Sequence, residues 1–190
     1  QRMLQYASSS HNRTTALLGM LRCSQYEDGL MDVVAVATQL LEQTDITDVI
    51  RQEALYCRAK AHLKEKQYGL AVVDLTPLSK EVRTAMGAEA KYQLAHAYFQ
   101  LGPIELAEQE VMSFTQMQTS QQYWLAKSLI LLADINIQRN DIFQAKQYLL
   151  ALQTNYRQDD DIQSIIAEKL VALEEMSIHE DVTEIEEDTL

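Results

Sequence analysis

Pairs of alanines twelve residues apart recur along this chain of 190 residues, and they constrain its fold more than any other feature. The pairs are Ala59 with Ala71, Ala95 with Ala107, and Ala133 with Ala145. Their first members are 36 and then 38 residues apart, so the unit repeats. A small side chain at the same level of two antiparallel helices lets their backbones cross closely. The spacing therefore predicts consecutive helical hairpins, each built around one alanine pair.

The residues around each alanine pair support this interpretation. An apolar residue follows each second alanine after four positions, and another comes three positions later. These residues are Leu75 and Leu78, Val111 and Phe114, and Leu149 and Leu152. The segments "KEKQYG", "QLGP" and "QRND" separate the two alanines of each pair and are typical of turns. A weaker earlier copy is predicted at Gly19 and Met31, which gives about four helix pairs in all.

The composition favours helices throughout. The chain has only 5 glycines and 2 prolines, while hydrophobic residues make up 47% of it. We therefore predict one all-α domain over residues 1–176, with a short helix near 2–9. The predicted helix pairs lie near 12–42, 46–78, 84–117 and 121–154.

A last helix is predicted near 160–176, after the acidic segment "DDD", whose carboxylates suit a helix N-terminus. Its apolar residues recur at helical spacing and form one face. They are Ile162, Ile165, Ile166, Leu170 and Leu173. Such a helix can cap the end of a stack of repeats and present its other face to water. Residues 177–190 are expected to form an acidic, flexible tail.

Charge and motif content exclude several classes of function. The formal net charge is -12, so the chain repels phosphate backbones, and no nucleic-acid partner is expected. No apolar run reaches the roughly 18 residues that a membrane-spanning helix needs. No phosphate-binding loop, metal-ligand spacing or pair of nucleophile and base is present. We therefore expect a protein without catalytic activity, cofactor or metal.

Three segments carry a resemblance to a known family. "ALYCRAKAHLKEKQYGLAVVDL", "AKYQLAHAYFQLGPIELAEQEV" and "LILLADINIQRNDIFQAKQYLL" resemble tetratricopeptide repeats, and the resemblance covers roughly residues 12–154. The periods are longer than the family's about 34 residues, and the family's early tryptophan and closing proline are missing from each copy. The resemblance implies a right-handed superhelix, or solenoid, of antiparallel helix pairs with a C-terminal capping helix.

The longer periods also resemble those of large repeat proteins of the bacterial cell envelope. "GAEAKYQLAHAYF" and "QYWLAKSLILLADI" are similar to the C-terminal repeats of exported proteins of that type. This resemblance implies a periplasmic or exported location, and a cytoplasmic one stays open.

One polar line runs along the otherwise apolar helix around residues 90–102. At 100° per residue, Glu89, Gln93, His96 and Gln100 fall within roughly 60° of each other. Positions shifted by the repeat offsets carry Lys60 and Lys64 in one direction, and Lys127, Asp134 and Gln138 in the other. In a solenoid this line faces the concave groove, which tetratricopeptide repeats use to bind peptides. The predicted groove residues are Arg13, Lys60, Lys64, Tyr92, Gln93, His96, Phe99, Gln100, Lys127, Asp134 and Gln138.

These observations predict a non-catalytic scaffold that binds a segment of another protein in its groove. The predicted groove is near neutral within an acidic chain, which suits an extended or acidic partner segment. One alternative is a structural role, in which the chain caps a longer repeat array and contributes to an assembly of the cell envelope. In a further alternative, the polar line is only the solvent-facing part of the solenoid and binds nothing specific.

Overall fold

The computed structural model describes residues 10–24 and 32–187, and every regular element in these ranges is an α-helix. The described helices are α1 Ser10–Ser24, α2 Val33–Leu41, α3 Asp48–Lys64, α4 Tyr68–Leu78, α5 Ala85–Leu101, α6 Ile104–Gln116, α7 Gln122–Gln138, α8 Ile142–Asn155 and α9 Ile162–Glu187. The all-α prediction is therefore confirmed for these ranges. The predicted helix near 2–9 lies outside the described residues.

Side-chain caps and turn residues set where the helices begin and end. Thr47, Thr84 and Asp141 each accept a hydrogen bond from the backbone N–H three residues later, at the start of α3, α5 and α8. Gly102 ends α5 with a φ of 106°, a left-handed conformation that glycine adopts without steric cost. Pro77 lies in the last turn of α4, as expected of a residue that cannot continue a helix.

The helices pack in chain order, and alternate helices form a continuous layer. Each helix contacts the next one along the chain, and α1, α3, α5, α7 and α9 also each contact the next odd-numbered helix. We call these odd-numbered helices the inner layer and the even-numbered helices the outer layer. Among the described residues, no two outer helices make such contacts. This pattern confirms adjacent helix pairs, while the handedness of the stack and its tetratricopeptide character stay predictions.

The predicted alanine pairs lie where their helices cross. All six alanines are at most 1% exposed. The two members of each pair belong to the same buried cluster, between α3 and α4, α5 and α6, and α7 and α8. The spacing of twelve residues thus located three helix crossings correctly.

The predicted earlier copy at Gly19 is wrong. Gly19 is exposed, and among the described residues a Cβ atom added there would have no atom within 4 Å, so none of the described helices crosses α1 at this point. The other member of that copy, Met31, lies outside the described residues. The first pair instead buries Leu17 and Leu21 of α1 against Ala37 and Leu40 of α2. The wrong register arose because glycine was treated as equivalent to the small crossing residue of the later copies.

The last helix covers the end of the stack. Ile162, Ile166 and Leu173 of α9 are buried in one cluster with Ala133 and Ala145. This packing agrees with the predicted capping face. The helix continues to Glu187, beyond the expected end at 176, because residues 162–187 contain no glycine or proline to stop it. Residues 188–190 of the expected tail lie outside the described residues.

Within the described ranges, none of the helices combines the length and the apolar character required to cross a membrane.

Candidate binding surface on the inner layer

A stripe of polar and aromatic side chains runs across α3, α5 and α7. We call it the inner stripe. It comprises Glu53, Tyr56 and Lys60 of α3, Glu89, Tyr92, Gln93, His96 and Gln100 of α5, and Tyr123, Trp124, Lys127 and Asp134 of α7. All of these side chains are partly or fully exposed. The stripe is thus a surface that solvent or a partner can reach.

Contacts on the stripe join each inner helix to the next. Arg22 of α1 donates two hydrogen bonds, of 2.7 and 2.8 Å, to the carboxylate of Glu53 on α3. Tyr56 of α3 donates a hydrogen bond of 2.6 Å to Glu89 of α5, whose other carboxylate oxygen lies 3.8 Å from the ammonium of Lys60.

The same kind of contact continues toward the end of the stack. Asp134 of α7 forms an ion pair with Lys169 of α9. Each carboxylate of the inner stripe therefore has a basic partner, and three of the four junctions between inner helices carry such a pair. These charged side chains of the stripe therefore hold successive helix pairs together.

Aromatic rings make the fourth junction, between α5 and α7. The rings of Tyr92 and Trp124 stack with centroids 5.7 Å apart, and Tyr92 also stacks on His96 at 6.1 Å. Tyr68 of α4 meets His96 edge-on at 6.3 Å, and Tyr123 meets Trp124 edge-on at 4.9 Å. We call these five residues the aromatic ladder. Ring pairs at such distances are attractive, so the ladder is a preformed, rigid part of the surface.

His96 lies at the middle of the ladder. Burial between the neighbouring rings lowers its pKa below the ordinary value, although the carboxylate of Asp134 acts in the opposite direction. The ammonium of Lys127 lowers the pKa of His96 further. The Nε2 atoms of His96 and Gln100 are 3.3 Å apart. The imidazole is therefore neutral near pH 7.

The tyrosines of the stripe are also shifted away from ionisation. Burial, together with the charge of Asp134, raises the pKa of Tyr92 to about 12. Burial and the hydrogen bond to Glu89 raise the pKa of Tyr56. Both phenols therefore keep their protons at neutral pH, and Tyr56 acts as a hydrogen-bond donor.

Lys127 differs from the other charged residues of the stripe. Its ammonium lies 6.0 Å from the ring centroid of Tyr123, a cation–π contact. It forms no salt bridge within the part of the chain that the structure describes. The hydroxyl of Tyr123 in turn donates a hydrogen bond of 3.5 Å to Asp161, so an acidic group also lies close to this part of the stripe.

The remaining predicted groove residues lie in several environments. Lys64 and Gln138 are exposed at the C-terminal ends of α3 and α7. Phe99 packs against the cluster that contains Ala95, so it contributes mainly to the core. Arg13 is exposed on α1.

Arg22, rather than Arg13, joins α1 to the stripe. The two arginines are nine residues apart, which places them on opposite sides of α1 at 100° per residue. The place of Arg13 in the predicted groove therefore stays a prediction.

The predicted groove residues did not include Tyr56, Tyr68, Tyr123 or Trp124. The sequence spacing could have identified three of them, because residues three or four positions apart are neighbours on the surface of a helix. Tyr56 and Tyr123 precede Lys60 and Lys127 by four positions, and Trp124 precedes Lys127 by three. Tyr68 lies on an outer helix, so its contact with His96 depends on the packing of α4 against α5.

A shallow cleft lies near the end of the ladder. It has a volume of about 240 Å³ and is lined by Ser120, Gln121, Gln122, Tyr123, Tyr156, Gln158 and Asp160. Tyr156 donates a hydrogen bond to Asp160, and the second oxygen of Asp160 accepts one from the N–H of Ile162. Tyr156 and Asp160 of the cleft lining thus already have hydrogen-bond partners within the segment that leads into α9.

The chemistry of these groups suits recognition. Rings, amides and one ammonium offer stacking and hydrogen-bonding groups to a ligand. Across the described ranges, no cluster of three histidine, cysteine, aspartate or glutamate side chains could hold a metal ion. No protein-family model, curated protein or solved structure matches this chain.

Proposed function

We propose that this chain is a non-catalytic interaction scaffold, which binds an extended segment of another protein along the inner stripe. The observation that carries the proposal is the aromatic ladder. Five rings from three helices form one partly exposed surface beside the amides of Gln93 and Gln100. Aromatic side chains of this kind supply contact area with little loss of conformational entropy when a partner binds.

The rigidity of this surface supports binding without rearrangement. The stacked rings and the ion pairs between inner helices fix the stripe before a ligand arrives, which lowers the entropic cost of association. A segment lying across α3, α5 and α7 would contact three repeats at once. An array of inner helices is thus suited to an extended ligand rather than to a small molecule.

A displayed library of random peptides tests the proposal. Peptides selected on the immobilised chain are expected to change the fluorescence of Trp124, which is the only tryptophan of the chain and belongs to the ladder. Gln93→Arg should weaken this binding because it places a long charged side chain beside the ladder. The matched control is Gln109→Arg on an exposed position of α6, which should bind as the original chain does.

Failure to select any peptide that perturbs Trp124 would refute the scaffold proposal. Equal binding by both arginine variants would show that the peptides attach elsewhere. Circular dichroism of each variant checks that its helices remain folded.

A second candidate is a structural role as the cap of a longer repeat array in a cell-envelope assembly. The packing of α9 over α7 and α8 favours it, together with the ion pairs that join successive inner helices. In that case the charged pairs would serve cohesion alone. If Asp134→Asn disrupts the assembly of the longer array while peptide binding is unchanged, the second candidate is favoured over the first.

A further inference from the structure

The aromatic ladder carries hydrogen-bond donors that the chain itself does not use. Within the described residues, the indole N–H of Trp124 and the hydroxyls of Tyr68 and Tyr92 donate no hydrogen bond. Every buried side-chain nitrogen or oxygen atom in these ranges has a partner, so these three groups are open to solvent. A ligand that lies on the ladder can therefore accept hydrogen bonds from them.

The carboxylates around the ladder are, in contrast, already occupied. The three carboxylates of the inner stripe each have a basic partner. Beyond the ladder, Asp160 and Asp161 each accept a hydrogen bond from a tyrosine. The ammonium of Lys127, over the ring of Tyr123, is a further donor. The described part of this surface thus offers more available donors than available acceptors.

The rings of the ladder are arranged in steps rather than as a flat platform. Tyr68 meets His96 at an interplanar angle of 78°, and Tyr123 meets Trp124 at 79°. Tyr92 lies between these two pairs, within 30° of parallel to both His96 and Trp124. At each end of the ladder, the edge of one ring therefore stands beside the face of another. The saturated ring of proline packs well on aromatic surfaces of this kind.

A proline-rich segment has the complementary chemistry. Proline has a backbone carbonyl group but no N–H, so it accepts hydrogen bonds and requires no acceptor in return. In the polyproline II conformation its carbonyl groups make no internal hydrogen bonds. We propose that the segment bound by the inner stripe is proline-rich and adopts this conformation. Its prolines lie on the aromatic ladder, and its carbonyl oxygens accept hydrogen bonds from Trp124 and Tyr92.

The proposal rests on the scaffold function and specifies the chemistry of its partner. The backbone groups in the interior of α3, α5 and α7 are paired within their own helices, so a ligand backbone meets only side chains there. An extended segment of other residues would bring one N–H per residue to a surface with few available acceptors. Each N–H left unpaired on binding costs free energy. Proline avoids this cost, which gives the stripe its selectivity.

The test compares two uncharged, end-capped peptides of ten residues, decaproline and an alternating glycine–serine peptide. Decaproline in the polyproline II conformation is about 31 Å long. This length is enough to cross three helices whose axes are about 8–10 Å apart. Decaproline should change the fluorescence of Trp124 and shift its indole N–H resonance in NMR spectra, which is the only such resonance of the chain. The glycine–serine peptide should bind at least about tenfold more weakly.

Two further measurements examine the nature of the contact. Tyr92→Phe keeps the ring and removes the hydroxyl, so it should weaken the binding of decaproline about threefold to tenfold, as expected for one hydrogen bond. The matched control is Tyr148→Phe on the outer helix α8, which should bind as the original chain does. Because the peptide is uncharged, its affinity should change less than about twofold between about 50 and about 500 mM salt. Circular dichroism checks that both variants are folded.

The proline proposal and the scaffold function fail in different ways. Equal affinity for the two peptides would overturn the proline proposal, and so would full binding of decaproline by Tyr92→Phe. Peptides selected from the random library should be enriched in proline. If they perturb Trp124 without this enrichment, the stripe is a scaffold for another kind of segment and the proline proposal is wrong. If neither the library peptides nor decaproline perturbs Trp124, both are refuted.

Discussion

Removing the charge of Asp74 should destabilise the first half of the stack strongly. The side chain of Asp74 on α4 is 2% exposed, and both of its oxygens accept hydrogen bonds from Arg58 of α3, at 2.7 and 2.8 Å. Arg58 also donates a hydrogen bond of 2.9 Å to Thr38 of α2. One guanidinium thus joins three helices through a bidentate pair, the strongest form of such a contact.

The expected magnitude follows from the burial of the two partners. Asp74→Ala leaves the guanidinium without its counter-charge in a mostly buried position. Breaking a buried ion pair by removing one partner costs about 3–5 kcal/mol. The Arg58 side chain is 21% exposed, so water compensates part of the loss. We expect the free energy of unfolding to fall by about 3 kcal/mol, the lower end of that range.

Urea denaturation measures this loss, with far-UV circular dichroism and Trp124 fluorescence as separate probes. Trp124 lies on α7, which packs against α5, α6, α8 and α9 but not against α2–α4 within the described residues. In a stack whose helix pairs contact mainly their neighbours, a local defect need not spread to the far end. The dichroism transition should therefore shift to lower urea than the fluorescence transition.

The charge-free double variant is the matched control. Replacing Asp74 by leucine and Arg58 by methionine removes both charges and keeps most of the apolar volume, so stability should largely recover. A loss below about 1 kcal/mol for Asp74→Ala would refute the reasoning, since it would match the contribution of a solvent-exposed ion pair to stability. A double variant as unstable as Asp74→Ala would refute it as well.

Three other perturbations test separate features of the fold. Gly87→Ala should destabilise the chain because its Cβ atom would collide with the backbone carbonyl oxygen of Glu81. Gly69→Ala should be tolerated, because no described atom lies within 4 Å of a Cβ atom there, and thermal melts compare the two variants. Ala95→Leu should cost about 1–3 kcal/mol in urea denaturation, because the helix crossing has no room for the larger side chain; an unchanged stability would contradict the close crossing of α5 and α6. His96 should make folding less stable in acid: its pKa is lowered in the folded state, so the unfolded chain binds more protons as the pH falls below about 6.5, and His96→Gln should remove this component from the pH dependence of unfolding.

Local sequence signals were sufficient for the helices and their crossings. The alanine spacing of twelve positions predicted three crossings, since two antiparallel helices joined by a short turn place such residues at one level. Thr84 and Asp141 precede their helices and cap them through local hydrogen bonds. The prediction failed at Gly19, where a small residue lies on an exposed face and packing, rather than size, decides the crossing.

The polar line on α5 was also visible in the sequence, but the partners of the charged residues beside it were not. Helical periodicity places Gln93 and His96 on one face whatever the tertiary structure is. The sequence suggested a groove with several available charges. The structure instead pairs Lys60 with Glu89 and Asp134 with Lys169, and leaves Lys127 over an aromatic ring.

The sequence by itself thus determined the helices, their pairing and the side of α5 that stays polar, because these depend on residues that are near each other along the chain. Only the tertiary structure decided which charges are paired and which rings stack. The contact between Tyr92 and Trp124 joins residues on different helix pairs, and the contact between Arg22 and Glu53 does the same. Such contacts depend on the relative placement of whole helices, and a periodicity measured within one helix carries no information about it.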